Sequence, residues 1–276
     1  ESRLLRRRSR PDCDIMAPDR CSNLTARFPD FGVRPRTSGK RRVLAVERIR
    51  ENDPEMVYAN LFWWQALGNF DLNVVNIQEP QVLGALPEDL DFRDFDAVVL
   101  SPRLTYDPIA MLNLDHRSPC RLSDYDGVKV LFRQDENFMT DAISEFIRTA
   151  GIDLFYSCVP DDQIQAAYGD LGEVCQIENV LTGYIDSSMR GQYREPHDKR
   201  SIDLFYRAYL GPLGGGDLIW EKYQIGAAVK QRLAASVNAD ISMDPVDRIY
   251  GQRWTARLMA TKAVLATRLK KSFLRS

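Results

Sequence analysis

Three polar clusters in this chain have residue types that could do chemistry. The first is Arg133-Gln134-Asp135-Glu136, which follows the apolar run VKVLF at residues 128–132. Two carboxylates at the end of a strand can act as a general base or bind hydroxyls. The adjacent arginine can hold a carboxylate ionised or grip an anion. The same residues have a plain structural use, as an Asp/Glu pair capping the next helix and bridging to a surface arginine. The second cluster is SPRLTYD at residues 101–107, with Arg103 and Tyr106 as its binding candidates. The third is Tyr206-Arg207, followed by GPLGGG at residues 211–216 and then a helix carrying Lys222. An arginine, a lysine and a helix start around glycines suit a diphosphate. The alternative there is a flexible loop beside a surface lysine.

Several familiar chemistries are disfavoured. The first strand runs into RVLAVERIREND without a glycine, so the GxGxxG dinucleotide fingerprint is absent, and no GxxxxGK[ST] occurs. Only two histidines exist, His116 and His197. His116 lies near Cys120, but no third ligand accompanies the pair, and nothing sets that thiol on an electropositive helix start. The triplets Asp12-Cys13-Asp14, Asp89-Leu90-Asp91 and Asp124-Tyr125-Asp126 resemble cation-holding motifs. One lies in the first segment and two precede strands, which fits chance in an acidic chain. No metal site is expected.

The clusters need a scaffold, and the patterning supplies one. Residues 128–160 read as strand, loop, helix and strand. VKVLF has the β-branched, apolar character of a buried strand. Thr140 stands where an N-cap belongs, and Asp141 falls in the first turn. Ala142, Ile143, Phe146, Ile147 and Ala150 make one helical stripe, which Gly151 ends. IDLFYSCV then forms the next strand. Such a βαβ unit implies a parallel sheet with a right-handed crossover, and open parallel sheets bind ligands beyond the carboxyl ends of their strands. The Arg133–Glu136 and 101–107 clusters would share that edge.

Further strands are predicted at 42–47, 72–78, 96–102 and 173–180, with helices from Pro54 to about Phe70 and over 161–170. After a polar stretch at 187–200 the alternation restarts. It gives a strand starting at 201, a long helix at 218–237, a strand at 239–244, a helix at 250–260 and a strand at 262–267. The fold class is therefore α/β with two Rossmann-like parallel-sheet domains in series. We delimit a disordered basic tail at 1–41, a first domain at 42–186, a linker at 187–200 and a partial second domain at 201–276.

Composition narrows the setting. The chain has 276 residues, 44% of them hydrophobic and 28% charged, which is ordinary for a soluble protein. Net charge is −2, yet residues 1–42 carry twelve Lys/Arg and five Asp/Glu, which leaves −9 on the remainder. An acidic globular part argues against a nucleic-acid-binding core. No apolar run is long enough to span a bilayer, and the start has no signal-peptide core. The five cysteines show no CxxC spacing and read as reduced thiols, giving a cytoplasmic expectation.

Taken in order, SPRLTYD, VKVLFRQDENFMTDAI, GIDLFYSCVPDDQI, VLTGYI, SIDLFYR and DRIYGQRW resemble a family of bacterial glycosyltransferases, the spore-coat CgeB-like, family-1-type enzymes with the two-domain GT-B fold. The resemblance covers about residues 43–266. It implies that the first domain takes a hydroxyl acceptor, such as a surface or spore polysaccharide. The second would bind a nucleotide-diphosphate sugar without metal or another cofactor. On that implication Asp135 and Glu136 are catalytic and Arg103, Tyr106 and Arg133 lie on the acceptor side. Tyr206, Arg207, Lys222, Arg248 and Tyr250 then approach the donor. The chain departs from the family pattern at Thr267, where a small-residue loop gives way to RLKKSFLRS. The expectation is a second domain cut short, with the activity of this chain in question. The alternative from another class is a non-catalytic α/β interaction module of receiver or flavodoxin type.

Overall fold

In the computed structural model, the residues described are 39–48, 70–77, 86, 89–106, 111, 114, 120–134, 136, 138–180, 195–210 and 217–267. The expected helix from Pro54 to Phe70, the GPLGGG turn, Asp135, His116 and most of the 187–200 linker lie outside them.

The architecture is α/β, with a six-stranded parallel sheet followed by a smaller three-stranded parallel sheet. Strands β1 (Arg42–Glu47), β2 (Asp71–Asn76), β3 (Ala97–Leu100), β4 (Val128–Phe132), β5 (Leu154–Ser157) and β6 (Gln176–Asn179) make the first sheet in the order β2-β1-β3-β4-β5-β6. Every neighbouring pair is parallel. Helix α1 (Thr140–Ala150) connects β4 to β5, and α2 (Asp161–Tyr168) connects β5 to β6. Near-continuous apolar strands such as Leu44–Ala45–Val46 are fully buried, as strands covered on both faces require. The core gathers Leu44, Val46, Val98, Leu100, Leu131 and Phe155 from the strands and Ile143, Phe146 and Ile147 from α1.

Gly151 ends α1 in the left-handed region (φ 67°), as its sequence position predicts. Thr140 does not cap α1. Met139 is the N-cap, itself left-handed (φ 54°), and no side chain caps the helix. Thr140 is the first helical residue, fully buried, with Oγ1 unpartnered. Burial of this end of the helix in the core overrides the sequence preference for a solvent-facing hydroxyl cap. A non-glycine residue in the left-handed region is costly. Here the backbone carbonyls of Phe138 and Met139 are held by Arg133, which offsets that cost.

The second sheet has the order β8-β7-β9, from β7 (Ile202–Arg207), β8 (Ala239–Ser242) and β9 (Thr261–Val264). Helix α3 (Asp217–Arg232) connects β7 to β8, and α4 (Gly251–Met259) connects β8 to β9. Gly226 lets α3 approach β7 closely: a Cβ there would meet Met243 Sδ at 2.6 Å and the Tyr206 ring at 2.8 Å. The buried apolar set is small, with Ile202, Phe205, Tyr206 and Ile241, while Trp220, Val246 and Val264 are at least half exposed. Among the described residues no helix is long and apolar enough to cross a membrane.

Candidate functional site

In a parallel sheet all carboxyl ends lie on one edge, so neighbouring strands bring their following loops together. β3 and β4 are paired in register, Leu100 opposite Leu131. Ser101 and Arg103 therefore share an edge with Arg133 and Glu136, as the sequence predicts. Tyr106 belongs to the short helical turn Leu104–Tyr106 after β3.

Glu136 turns into the protein. It is buried, and its carboxylate accepts hydrogen bonds from Ser157 Oγ (2.9 Å to Oε1, 3.0 Å to Oε2), Cys158 N–H and Tyr168 Oη. Ser157 Oγ in turn accepts from Val159 N–H at 3.0 Å. The loop after β4 is thereby tied to the end of β5 and to α2. Burial pushes the Glu136 carboxyl up, opposed by the Cys158 N–H, the Ser157 hydroxyl and the Arg133 charge. Arg133 is buried too, at 2% exposure, with Nη2 donating to Phe138 C=O and Nη1 to Met139 C=O at 3.5 Å. Glu136 does not take the helix-capping use open to it in the sequence, and Arg133 is not a surface arginine. Their chemistry in this fold is to fix the loop that leads into α1.

Glu47 is the acidic residue that sequence reading passed over. It ends β1 and is 5% exposed. Burial raises its pKa to about 7, against the Ser101 hydroxyl nearby, the charge of Arg103 and the Arg48 N–H. Ser101 is held beside it, because the Ser101 N–H donates to Val46 C=O at 3.1 Å. Ser101 lies close enough to the carboxylate to oppose the rise. Even so, neither Ser101 Oγ nor Glu47 Oε2 is aligned in a hydrogen bond. These residues stand between β1 and β3. Sheet order reverses there, since β2 lies on one side of β1 and β3 on the other. Such a reversal opens a crevice at the carboxyl edge. The signal was present in RVLAVE, an apolar strand ending in glutamate, but its weight depends on strand order.

The second sheet carries the other candidates at its own carboxyl edge. Tyr206 is buried, and its hydroxyl donates to Lys222 C=O at 2.9 Å, pinning α3 to β7; burial raises its pKa. Lys222 is half-buried. Arg207 donates from Nη1 to Tyr206 C=O (3.0 Å) and Asp240 C=O (2.9 Å). It also donates from Nη2 to Asp240 Oδ1 (2.5 Å) and from Nε to Asp247 C=O (3.2 Å). Four of its five N–H groups are thus committed to the protein. Arg248 differs. It is exposed, with its guanidinium 4.4 Å from the Tyr209 ring centroid and 5.3 Å from that of Tyr250. Tyr209 and Tyr250 are themselves 38% and 39% exposed. The cation and two rings form a surface platform immediately before α4.

Among the described residues no group of three or more His, Cys, Asp or Glu could hold a metal ion. Cys120, Cys158 and Cys175 are free thiols. Comparison of the chain with family models, with curated proteins and with solved structures returns no match.

Proposed function

We propose that this protein is a glycosyltransferase that moves a sugar from a nucleotide-diphosphate donor to a hydroxyl acceptor. The first α/β unit takes the acceptor and the second takes the donor. The observation that carries the reading is positional. The motifs SPRLTYD, VKVLFRQDE, SIDLFYR and DRIY, which resemble one transferase family in their order, each lie at the carboxyl edge of a parallel strand. That edge is where such sheets take ligands.

Within this reading the donor-side roles divide. Arg207 and Tyr206 organise the edge, because their polar atoms are committed internally. Arg248 meets the donor, since its guanidinium is exposed and framed by Tyr209 and Tyr250. A guanidinium there can neutralise charge growing on the leaving diphosphate, and the rings can stack on a base or sugar. Lys222 adds a second positive charge on α3. No metal is required by this arrangement. Asp135 and Glu136 remain the acceptor-side carboxylates of the proposal, with Glu136 tying the end of β4 to β5 and α2. Arg103 follows β3 on the same edge, and Tyr106 belongs to the helical turn after it.

The test is calorimetric titration of the full chain with UDP-, GDP-, dTDP- and CMP-sugars. Micromolar to millimolar binding of one donor, weakened at least about tenfold in Arg248→Ala with an unchanged circular dichroism spectrum, supports the reading. Absence of binding across the panel overturns it. A second reading is a non-catalytic flavodoxin-like module. It is favoured by the strand order β2-β1-β3-β4-β5, which is the flavodoxin order. It expects no donor binding and no effect of Arg248→Ala on ligand affinity.

A further inference from the structure

Of the outermost strands described, β2, β6 and β8 are protected and β9 is not. β2 is covered, with Leu72, Val74 and Val75 buried. β6 exposes Gln176, Glu178 and Asn179, and a charge on an edge strand repels an incoming strand. β8 is partly or fully buried along its length, and its Asp240 is tied to Arg207 and Arg257.

β9 is guarded over its first half alone. Arg200 Nη1 donates to Thr261 C=O at 3.0 Å, and Thr261 is itself buried. Beyond it the strand lies open: Ala263 and Ala266 are exposed, and Val264 is 51% exposed. Successive strand residues point to opposite faces, so Ala263 and Val264 show that neither face is covered there. Parallel strands are normally buried on both faces. The one charge in β9, Lys262, is turned aside to Asp203 on β7 at 2.7 Å, so it does not screen the edge. Among the described residues no strand pairs with β9 on the side away from β7. An open apolar edge without a free charge is a template for another strand.

The edge is complementary to itself. A two-fold axis between Ala263 and Val264 sets Ala263 of one copy opposite Val264 of the other, and Lys262 opposite Leu265. No like charges meet, and each Lys262 is already paired within its own chain. The axis falls in the open half of the strand, so the Arg200 bond to Thr261 is left in place. A parallel copy would repeat the contact without closing, whereas the antiparallel two-fold closes after two chains.

We propose that β9 is a homodimer interface, at which the edge strands of two copies pair antiparallel and join their small sheets into one sheet of six strands. The interface uses none of the residues assigned to donor or acceptor and goes beyond the transferase reading. It also covers Val264, beside a described core of Ile202, Phe205, Tyr206 and Ile241.

Sedimentation of the full chain over about 1–300 µM should show a reversible monomer–dimer equilibrium, the weak association expected of a short interface. Val264→Lys puts a charge on the open half of the edge and should weaken dimerisation at least about tenfold. Ala263→Lys should do the same and decides the matter if the first variant loses its melting transition. Hydrogen exchange of the amides at 261–266 should slow as the concentration of the natural chain rises, and should not do so in Val264→Lys. A chain that is monomeric throughout overturns the proposal, as does a dimer indifferent to both substitutions. Slow exchange at every concentration overturns it too, because another strand of the same chain would then cover β9. Open-ended assembly overturns the two-fold pairing. No nucleotide sugar enters this experiment, so its failure leaves the donor titration to be judged separately.

Discussion

Glu47 and Glu136 are two buried glutamates on the same edge of the same sheet, and they are opposites. Glu136 is surrounded by donors, a backbone N–H, the Ser157 hydroxyl and the Tyr168 phenol. Glu47 has an oxygen that makes no hydrogen bond. Burial raises both carboxyls above the usual range. Residue type, burial and position on the edge are therefore not what separates a structural carboxylate from an available one. The distinction is hydrogen-bond valence, and it inverts the ranking that the sequence suggests. The second sheet repeats the contrast with arginines: Arg207 is committed to Asp240 and three backbone carbonyls, while Arg248 lies on open rings.

The largest effect should come from breaking the saturated carboxylate. Glu136→Ala leaves the Ser157 hydroxyl, the Cys158 N–H and the Tyr168 phenol without their acceptor in a buried place. Losses of this kind cost about 1–3 kcal/mol per group and are not additive, so a total near 4 kcal/mol is expected. Urea denaturation followed by tryptophan fluorescence measures it. A loss below about 1 kcal/mol would mean that the carboxylate is solvated and that its four hydrogen bonds contribute little. Tyr168→Phe should cost a smaller part of the same energy.

Glu47 should respond in the other direction. Its folded pKa of about 7 lies above the unfolded value near 4.5. Between these values the folded state binds more protons than the unfolded state. Stability is then highest in acid and falls as pH rises from about 4.5 through 7. A shift of that size corresponds to roughly 3 kcal/mol at pH 8. Glu47→Gln should remove the fall and be more stable than the natural chain at pH 8. Near pH 4 the two should differ little. Glu136 titrates in the same sense, so the reading is the difference between the two chains across pH. A Glu47→Gln chain that is less stable at pH 8 would show that the carboxylate has partners in solution.

These two glutamates also show what a sequence can convey. β1 at 42–47 and β4 at 128–132 were legible to the residue, because each is a short apolar run bounded by charges. The stop at Gly151 was legible too, since only glycine takes a left-handed φ freely. The parallel character of both sheets followed from the alternation of strand and helix. The N-terminal end of α1 was not legible: whether Thr140 caps or is buried depends on what packs above it. Nor was the place of Glu47, because adjacency of β1 and β3 is set by crossovers that span residues far apart in the chain. Glu136 and Arg133 were found as polar residues at the right edge. Their partners Ser157, Cys158 and Tyr168 come from elements up to 32 residues away, which no local pattern reports.

In the smaller sheet, Arg207→Ala should cost about 2 kcal/mol. It leaves Asp240, only a quarter exposed, without its closest cation, and removes three bonds to backbone carbonyls. Arg207→Lys should recover less than half of this, because an ammonium cannot reproduce the fork that reaches Asp240 and the carbonyls together. Equal stability of the lysine variant would show that charge alone matters there. Thermal melts of the full chain decide between these outcomes.

Arg248→Ala should have the smallest effect on the fold and is the most discriminating substitution of the set. The guanidinium lies on two exposed rings with no committed hydrogen bond among the described residues. Exposed cation–π contacts contribute about 0.5–1 kcal/mol each, and much of that is returned when the rings regain water. A change in stability within about 0.5 kcal/mol is expected, and a larger loss would place Arg248 with Arg207 as a structural clamp. Where the fold is unchanged, any loss of donor affinity belongs to the ligand contact itself. Arg207→Ala cannot offer that separation, because its ligand and folding effects arrive together. An exposed, stacked and uncommitted arginine is the position at which binding can be tested apart from stability.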